Sequence, residues 1–259
     1  MTYATNFKSV RGEVSEAEWL ARVELAACYR LVDAYGMTDL IYNHITARIP
    51  GTQDHLLINL YGLLYKEITA SSLVKIGLDG QPVGKSDYSV NPAGFTIHSA
   101  VHEVREDAGC VMHLHTPDGT AVSTSKERLL PLNQTAQLVL PDLAYHDYEG
   151  VALDHDERPR LQKDLGSKNL MLLHNHGTLA VGRTCADAFT RMYFLERACT
   201  MQVRTRMLGD SAMDHPTAPD VIAKNAALVS SGGMSQVAEK LVWPALIRKL
   251  DRLDPGFRA

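Results

Sequence analysis

Apolar positions recur along this chain in two rhythms, and the switches between them outline its elements. From Glu18 onward, Trp19, Val23, Ala26/Ala27, Arg30/Leu31 and Ala34 keep the helical period. Ser15 and Glu18 are spaced as a capping box in front of that run, and Gly36 stops it. Ile41 to Ile49 is strand-like and closes at Pro50-Gly51, and Leu56 to Leu60 predicts a second short strand. Val74 to Leu78 and the segment after Asp79-Gly80 predict a hairpin, because Asp-Gly suits a tight reversed turn. Phe95 to Arg105 carries Val101 and Val104/Arg105 at helical offsets and leads into the apolar run Gly109 to Met112. Pro117 opens a short helix at a position that tolerates it.

The second half is less regular. Leu138 to Tyr145 is apolar, and Tyr145 to Gly150 predicts a polar, aromatic loop. Asp156 to Leu165 predicts a short helix before the apolar run Asn169 to Leu173. A long helix spans about Cys185 to Leu208, with Phe189, Met192, Glu196, Cys199, Val203 and Met207 on one stripe that packs into a core. Ser235 to Leu253 predicts an amphipathic tail helix interrupted at Trp243-Pro244. A helix, several strands and then alternating strands and helices suggest an α/β sandwich with antiparallel hairpins. We expect one domain over 1–259, with a core at about 18–208 and a helical tail at about 209–259. Neither internal repeats nor low-complexity segments interrupt it.

Composition narrows the function classes. With 259 residues and 45% hydrophobic content, one large core is sufficient. Charged residues make up 22% and the formal net charge is −4. No lysine or arginine run offers a groove for nucleic acid. No stretch approaches a membrane span, and the polar start of the chain has no apolar signal core. Cys28, Cys110, Cys185 and Cys199 show no metal-type spacing and are expected to be reduced core thiols. These features point to a cytoplasmic protein.

Chemistry concentrates in two clusters that each follow an apolar run. His113-Leu114-His115 follows Gly109 to Met112, and His174-Asn175-His176-Gly177 follows Asn169 to Leu173. Alternate residues of a strand share a face, so His113 and His115 point the same way. Two imidazoles from one strand and a third from another can close on one divalent ion and leave a position open for substrate. His174 is a rival third ligand, since it lies two residues from His176. Alone, His-X-His is more often a polar strand end, and Asn-His-Gly a turn. Together they favour a metal site.

With those residues in hand, the sequence resembles the class II aldolase/adducin family from about Glu18 to Leu208. The likeness rests on Val111 to Pro117, on Leu172 to Gly177 and on the distance between them. Asn43 to Arg48 after Gly36, and Asn91 to Phe95 with His98, support it. The resemblance implies a three-layer α/β/α sandwich with a mixed, largely antiparallel central sheet. It implies a divalent metal on His113, His115 and His176, usually Zn²⁺, with Fe²⁺, Mn²⁺ or Co²⁺ also suited to histidine ligation. It further implies a homotetramer acting on a small molecule, with Asn43, His44, Gly62 and Gly94 at the substrate. The chain departs from the sugar-phosphate aldolases of that family. Gly94 stands where they carry an acid/base glutamate, and Pro92-Ala93 and Tyr61-Gly62 replace their phosphate-binding hydroxyls. The pattern is closer to the adducin-type branch, yet keeps all three histidines.

A retained metal without the glutamate shifts the expected chemistry. Retro-aldol cleavage needs a base for the hydroxyl proton, whereas decarboxylation needs only a proton donor afterwards. His98, Tyr145, His146 and Glu149 are the candidate proton handlers. The expectation is therefore a divalent-metal-dependent carbon–carbon lyase, of aldolase or decarboxylase type, on a small hydroxy-carbonyl or hydroxy-acid substrate. The alternatives are a non-haem iron oxygenase on the same scaffold, or an adducin-like module that binds actin without catalysis.

Overall fold

The computed structural model describes residues 7–84, 92–150, 155–209 and 215–259. Its centre is a seven-stranded sheet ordered β3-β2-β1-β4-β7-β6-β5. In chain order the strands are β1 (His44–Arg48), β2 (His55–Ile58), β3 (Val74–Gly77), β4 (Cys110–Leu114), β5 (Leu143–His146), β6 (Leu170–Leu173) and β7 (Gly177–Gly182). All neighbours are antiparallel except β5 and β6, which run parallel. The helices are α1 (Glu16–Ala34), α2 (Pro92–Val104), α3 (Pro117–Thr124), α4 (Gln134–Val139), α5 (Arg158–Leu165), α6 (Cys185–Met207), α7 (Pro219–Ser230), α8 (Gly233–Val237) and α9 (Trp243–Leu253).

Side chains alternate along β4 and so divide between two cores. Cys110, Met112 and Leu114 join the larger one, beneath α1 and α6. Val111 joins the smaller one, with Ile97 and Val101 of α2 and Leu161 and Leu165 of α5. Helices on both faces of one sheet make the expected three-layer α/β/α sandwich. None of the described helices is long and apolar enough to cross a membrane.

Local chemistry explains most boundaries. Ser15 caps α1 by accepting the Glu18 N–H, but the Glu18 carboxylate turns instead to Arg22 and Lys75, so the box is half formed. Gly36, at φ +66°, ends the helix. Thr116 caps α3, with Pro117 in its first turn. The hairpin after β3 forms through Gly80 N–H to Gly77 O and Val83 N–H to Lys75 O.

Three elements differ from expectation. Tyr145 and His146 belong to strand β5 rather than a loop, because pairing with Leu172 and Leu173 extends the ladder through them. Trp243-Pro244 does not interrupt the tail helix: α8 continues through a π-helical turn, Ala238–Val242, directly into α9. Proline in the first turn of α9 lacks only an N–H that such a register leaves free. Helix α7 lies in the expected helical tail ahead of the predicted Ser235 start, and it buries none of its residues.

Candidate metal centre

The two histidine clusters meet at the ends of β4 and β6. His113 is near the end of β4 and His115 follows it, so both rings leave the same face. His176 lies in the turn between β6 and β7, held by its N–H on Leu173 O at 3.1 Å. Asn175 takes φ +57° there, a left-handed conformation that asparagine tolerates. Gly177 brings the turn close to β4: a Cβ on it would stand 2.3 Å from Leu114 O and 3.1 Å from His115 Cδ2. Substitution would push the two histidine-bearing segments apart.

The ring nitrogens converge. His113 Nε2 is 2.9 Å from His115 Nε2 and 3.3 Å from His176 Nε2. On the far side of each ring, His113 Nδ1 is 3.0 Å from Thr178 O and His115 Nδ1 is 3.2 Å from Asp39 Oδ2. Those acceptors place the ring protons on Nδ1 and leave bare lone pairs on Nε2. Two lone pairs facing one another at 2.9 Å repel unless a cation lies between them. Burial, followed by the charge of neighbouring histidines, holds His113 well below the usual imidazole range and His176 down at about 4. Neutral rings with converging Nε2 atoms fit a divalent metal.

Polar groups without protein partners surround the three rings. His44 pairs with His113 across the β1–β4 ladder, is buried, and has neither ring nitrogen bonded. Asn43, at φ +73° just before β1, has both side-chain polar atoms buried and unpartnered. His98 of α2 holds Thr46 Oγ1 with Nδ1 at 2.8 Å, while its Nε2 is free and its ring lies 6.2 Å from that of His44. Thr46 also bonds His102 Nε2 at 2.8 Å. Buried unpartnered polar groups cost about 1–3 kcal/mol each, which makes a cluster of them beside a ligand set notable. Burial and then the His115 charge bring His44 down to about 4.

The remaining sequence candidates lie elsewhere or stay separate. Tyr145 stacks on His174 at 5.7 Å and accepts the Leu129 N–H with its hydroxyl. His174 is turned to the Ser123 carbonyl at 2.8 Å and is not among the converging rings. His146 is clamped by Asp164 at 2.7 Å and Glu157 at 3.3 Å. Glu149 pairs with Arg160. Gly62 occupies a turn after β2 at φ +103°, and Gly94 lies in the first turn of α2. Asn91 falls outside the described residues. Tyr148 is the loop residue that does approach: its ring stands 6.3 Å from that of His176, and it is 51% exposed.

Sequence reasoning passed over Asp39 and Thr178, and it placed Tyr148 in the candidate loop without singling it out. Thr178 had a usable signal, since it lies two residues past His176. Asp39 reaches His115 only through the folded chain.

The chain is similar to known proteins over most of its length. Residues 23–203 match the family model described as Class II Aldolase and Adducin N-terminal domain. A class 2 aldolase candidate of Caulobacter vibrioides is 55% identical over 251 residues, covering 96% of each chain. Alpha-adducin of Mus musculus is 49% identical over 208 residues, which is 78% of this chain but 28% of that protein. The crystal structure of an aldolase II superfamily protein from Pseudomonas syringae superposes with a TM-score of 0.88 at 43% identity, covering 97% of this chain and all of the other. L-fuculose 1-phosphate aldolase from Glaciozyma antarctica PI12 gives 0.80 at 25% identity, covering 98% and 96%. By sequence and by fold, the chain belongs to the class II aldolase and adducin N-terminal domain family.

Proposed function

We propose that this protein is a divalent-metal-dependent carbon–carbon lyase acting on a small oxygen-rich acid or hydroxy-carbonyl compound. The observation that carries the reading is the mutual approach of the three Nε2 atoms, with two rings oriented from behind by Thr178 and Asp39. His113, His115 and His176 would hold the ion, of which Zn²⁺ is the family's usual choice. When bound, it supplies a Lewis acid for a carbonyl oxygen and for the negative charge that develops as the carbon–carbon bond breaks.

The chain's own groups do the rest. Asn43 offers an amide donor and acceptor, and His44 a donor and an acceptor, to substrate oxygens that would satisfy them. His98 is anchored by Thr46 through Nδ1, and its free Nε2, on a ring 6.2 Å from that of His44, would serve as a positioning group. Tyr148, half in solvent, is placed to give a proton to the carbon left by the departing group and to regain one from water. The absence of a carboxylate at Gly94 favours loss of carbon dioxide, because a substrate carboxylate has no proton to be removed. A homotetramer follows from the family resemblance.

A non-catalytic, adducin-like role is the competing reading, favoured by the 49% identity to alpha-adducin. Metal-loaded protein screened against hydroxy-acids and hydroxy-carbonyl compounds decides between them. Metal-dependent release of carbon dioxide or aldehyde, lost in His113→Ala, supports the lyase. No retained metal and no turnover, with cosedimentation on actin filaments, supports the module.

A further inference from the structure

Three of the four cysteines, far apart in sequence, meet in the core. Cys28 comes from α1, Cys110 from the first position of β4 and Cys185 from the first position of α6. All are free and buried, and their sulfurs lie within 4.8 Å of one another. The cluster depends on Gly109: a Cβ there would stand 1.9 Å from Arg183 O, so only glycine lets the start of β4 lie against the segment leading into α6. Cys199, further along α6, is not part of it.

All three sulfurs are shut away from water, so negative charge on them needs a cation beside it. Cys185 opens a 23-residue helix capped by Thr184, and the positive end of such a helix offsets part of that cost. Access is short: Cys185 lines a groove of about 300 Å³ together with Glu24, Arg48, Gly109, Arg183 and Thr184.

We propose that Cys28, Cys110 and Cys185 form a second cation site, distinct from the histidine centre, that takes one soft monovalent ion of the copper(I) type. Soft thiolates select such ions over hard ones. Zinc in a structural site wants four ligands, whereas copper(I) is content with three sulfurs, and no fourth His, Cys or acidic ligand joins the trio among the described residues. Binding would displace thiol protons to solvent without any change in oxidation state. The site lies at the opposite end of β4 from His113, on its other face.

The test uses the full chain, reduced and anaerobic, with His113→Ala and His176→Ala removing the histidine centre. Copper(I) supplied as its acetonitrile complex should bind at one equivalent per chain. It should give a near-ultraviolet thiolate charge-transfer band and an X-ray absorption spectrum with three sulfur neighbours at the copper. Cys199→Ser should behave identically, and Cys110→Ser should bind at least roughly 100-fold more weakly. Where Cys110→Ser fails to fold, a three-sulfur copper that persists unchanged in Cys199→Ser still identifies the ligands. Absence of the band in folded protein, fewer than three sulfur neighbours, equal binding by folded Cys110→Ser, or a disulfide within the trio and no bound copper would overturn the proposal.

Discussion

Asp39 Oδ2 lies 3.2 Å from Nδ1 of His115, on the side of the ring opposite the other two histidines. The carboxylate sets the tautomer, so the lone pair on Nε2 faces inward. Removing it frees the ring to rotate. Asp39→Ala should weaken metal retention by about 10–100-fold while leaving the fold intact. Titration against a competing chelator measures the first effect, and thermal unfolding of metal-free protein the second. Unchanged affinity would mean that the pair is incidental.

His44 gives an opposite pairing of stability and activity. Its two nitrogens are buried without partners, directly across the ladder from His113. A phenyl ring of similar size needs no such partners. His44→Phe should therefore leave the fold as stable, or stabilise it by about 1–2 kcal/mol in urea unfolding. The same change should lower kcat/KM by about 10² or more if substrate supplies the missing bonds. Marked destabilisation would instead give His44 a packing role.

Tyr148 tests the proton step. Its ring meets that of His176 edge-on, 74° between planes, and is half exposed. Tyr148→Phe keeps the ring and deletes only the hydroxyl. The expected result is a fall in kcat of about 10²–10⁴ with little change in KM. An unaltered kcat would return the proton to solvent or to another group.

How much of this was readable in advance depended on whether a feature is local. The His-X-His pair was legible because period-two geometry is written into consecutive residues. The α1 boundaries were legible because Ser15 and Gly36 act within one turn of the helix ends. Strand β5 was hidden: its apolar start continues the run from Leu138, its end at Tyr145-His146 runs into polar loop residues, and only the parallel neighbour β6 draws all four into the sheet. The same holds for the clamp on His146, since Glu157 and Asp164 arrive on a later helical segment. Cys28, Cys110 and Cys185 carried no spacing signal, because packing of α1, β4 and α6 alone brings them together.

Glu196 offers a prediction about the fold that is separate from the metal. It lies buried on α6 between two hydroxyl donors, with Oε1 accepting from Thr178 Oγ1 at 2.6 Å and Oε2 from Thr116 Oγ1. Those bonds favour the ionised form, yet burial outweighs them and raises the carboxyl from 4.5 to about 7. A raised carboxyl binds its proton more tightly in the folded state than in the unfolded one. Its contribution to stability is thus complete below pH about 4.5 and is lost as pH rises to about 7, on the order of 3 kcal/mol in all. Glu196→Gln removes the ionisation and keeps the shape. Thr178 can then donate to Leu114 O, 3.3 Å away, and accept from the new amide. Urea unfolding between pH 5 and 8 should show the native chain losing stability across this window and the variant losing much less, with the variant the more stable at pH 8. A variant that is less stable at pH 8 would mean that the carboxylate's two hydroxyl bonds outweigh its desolvation.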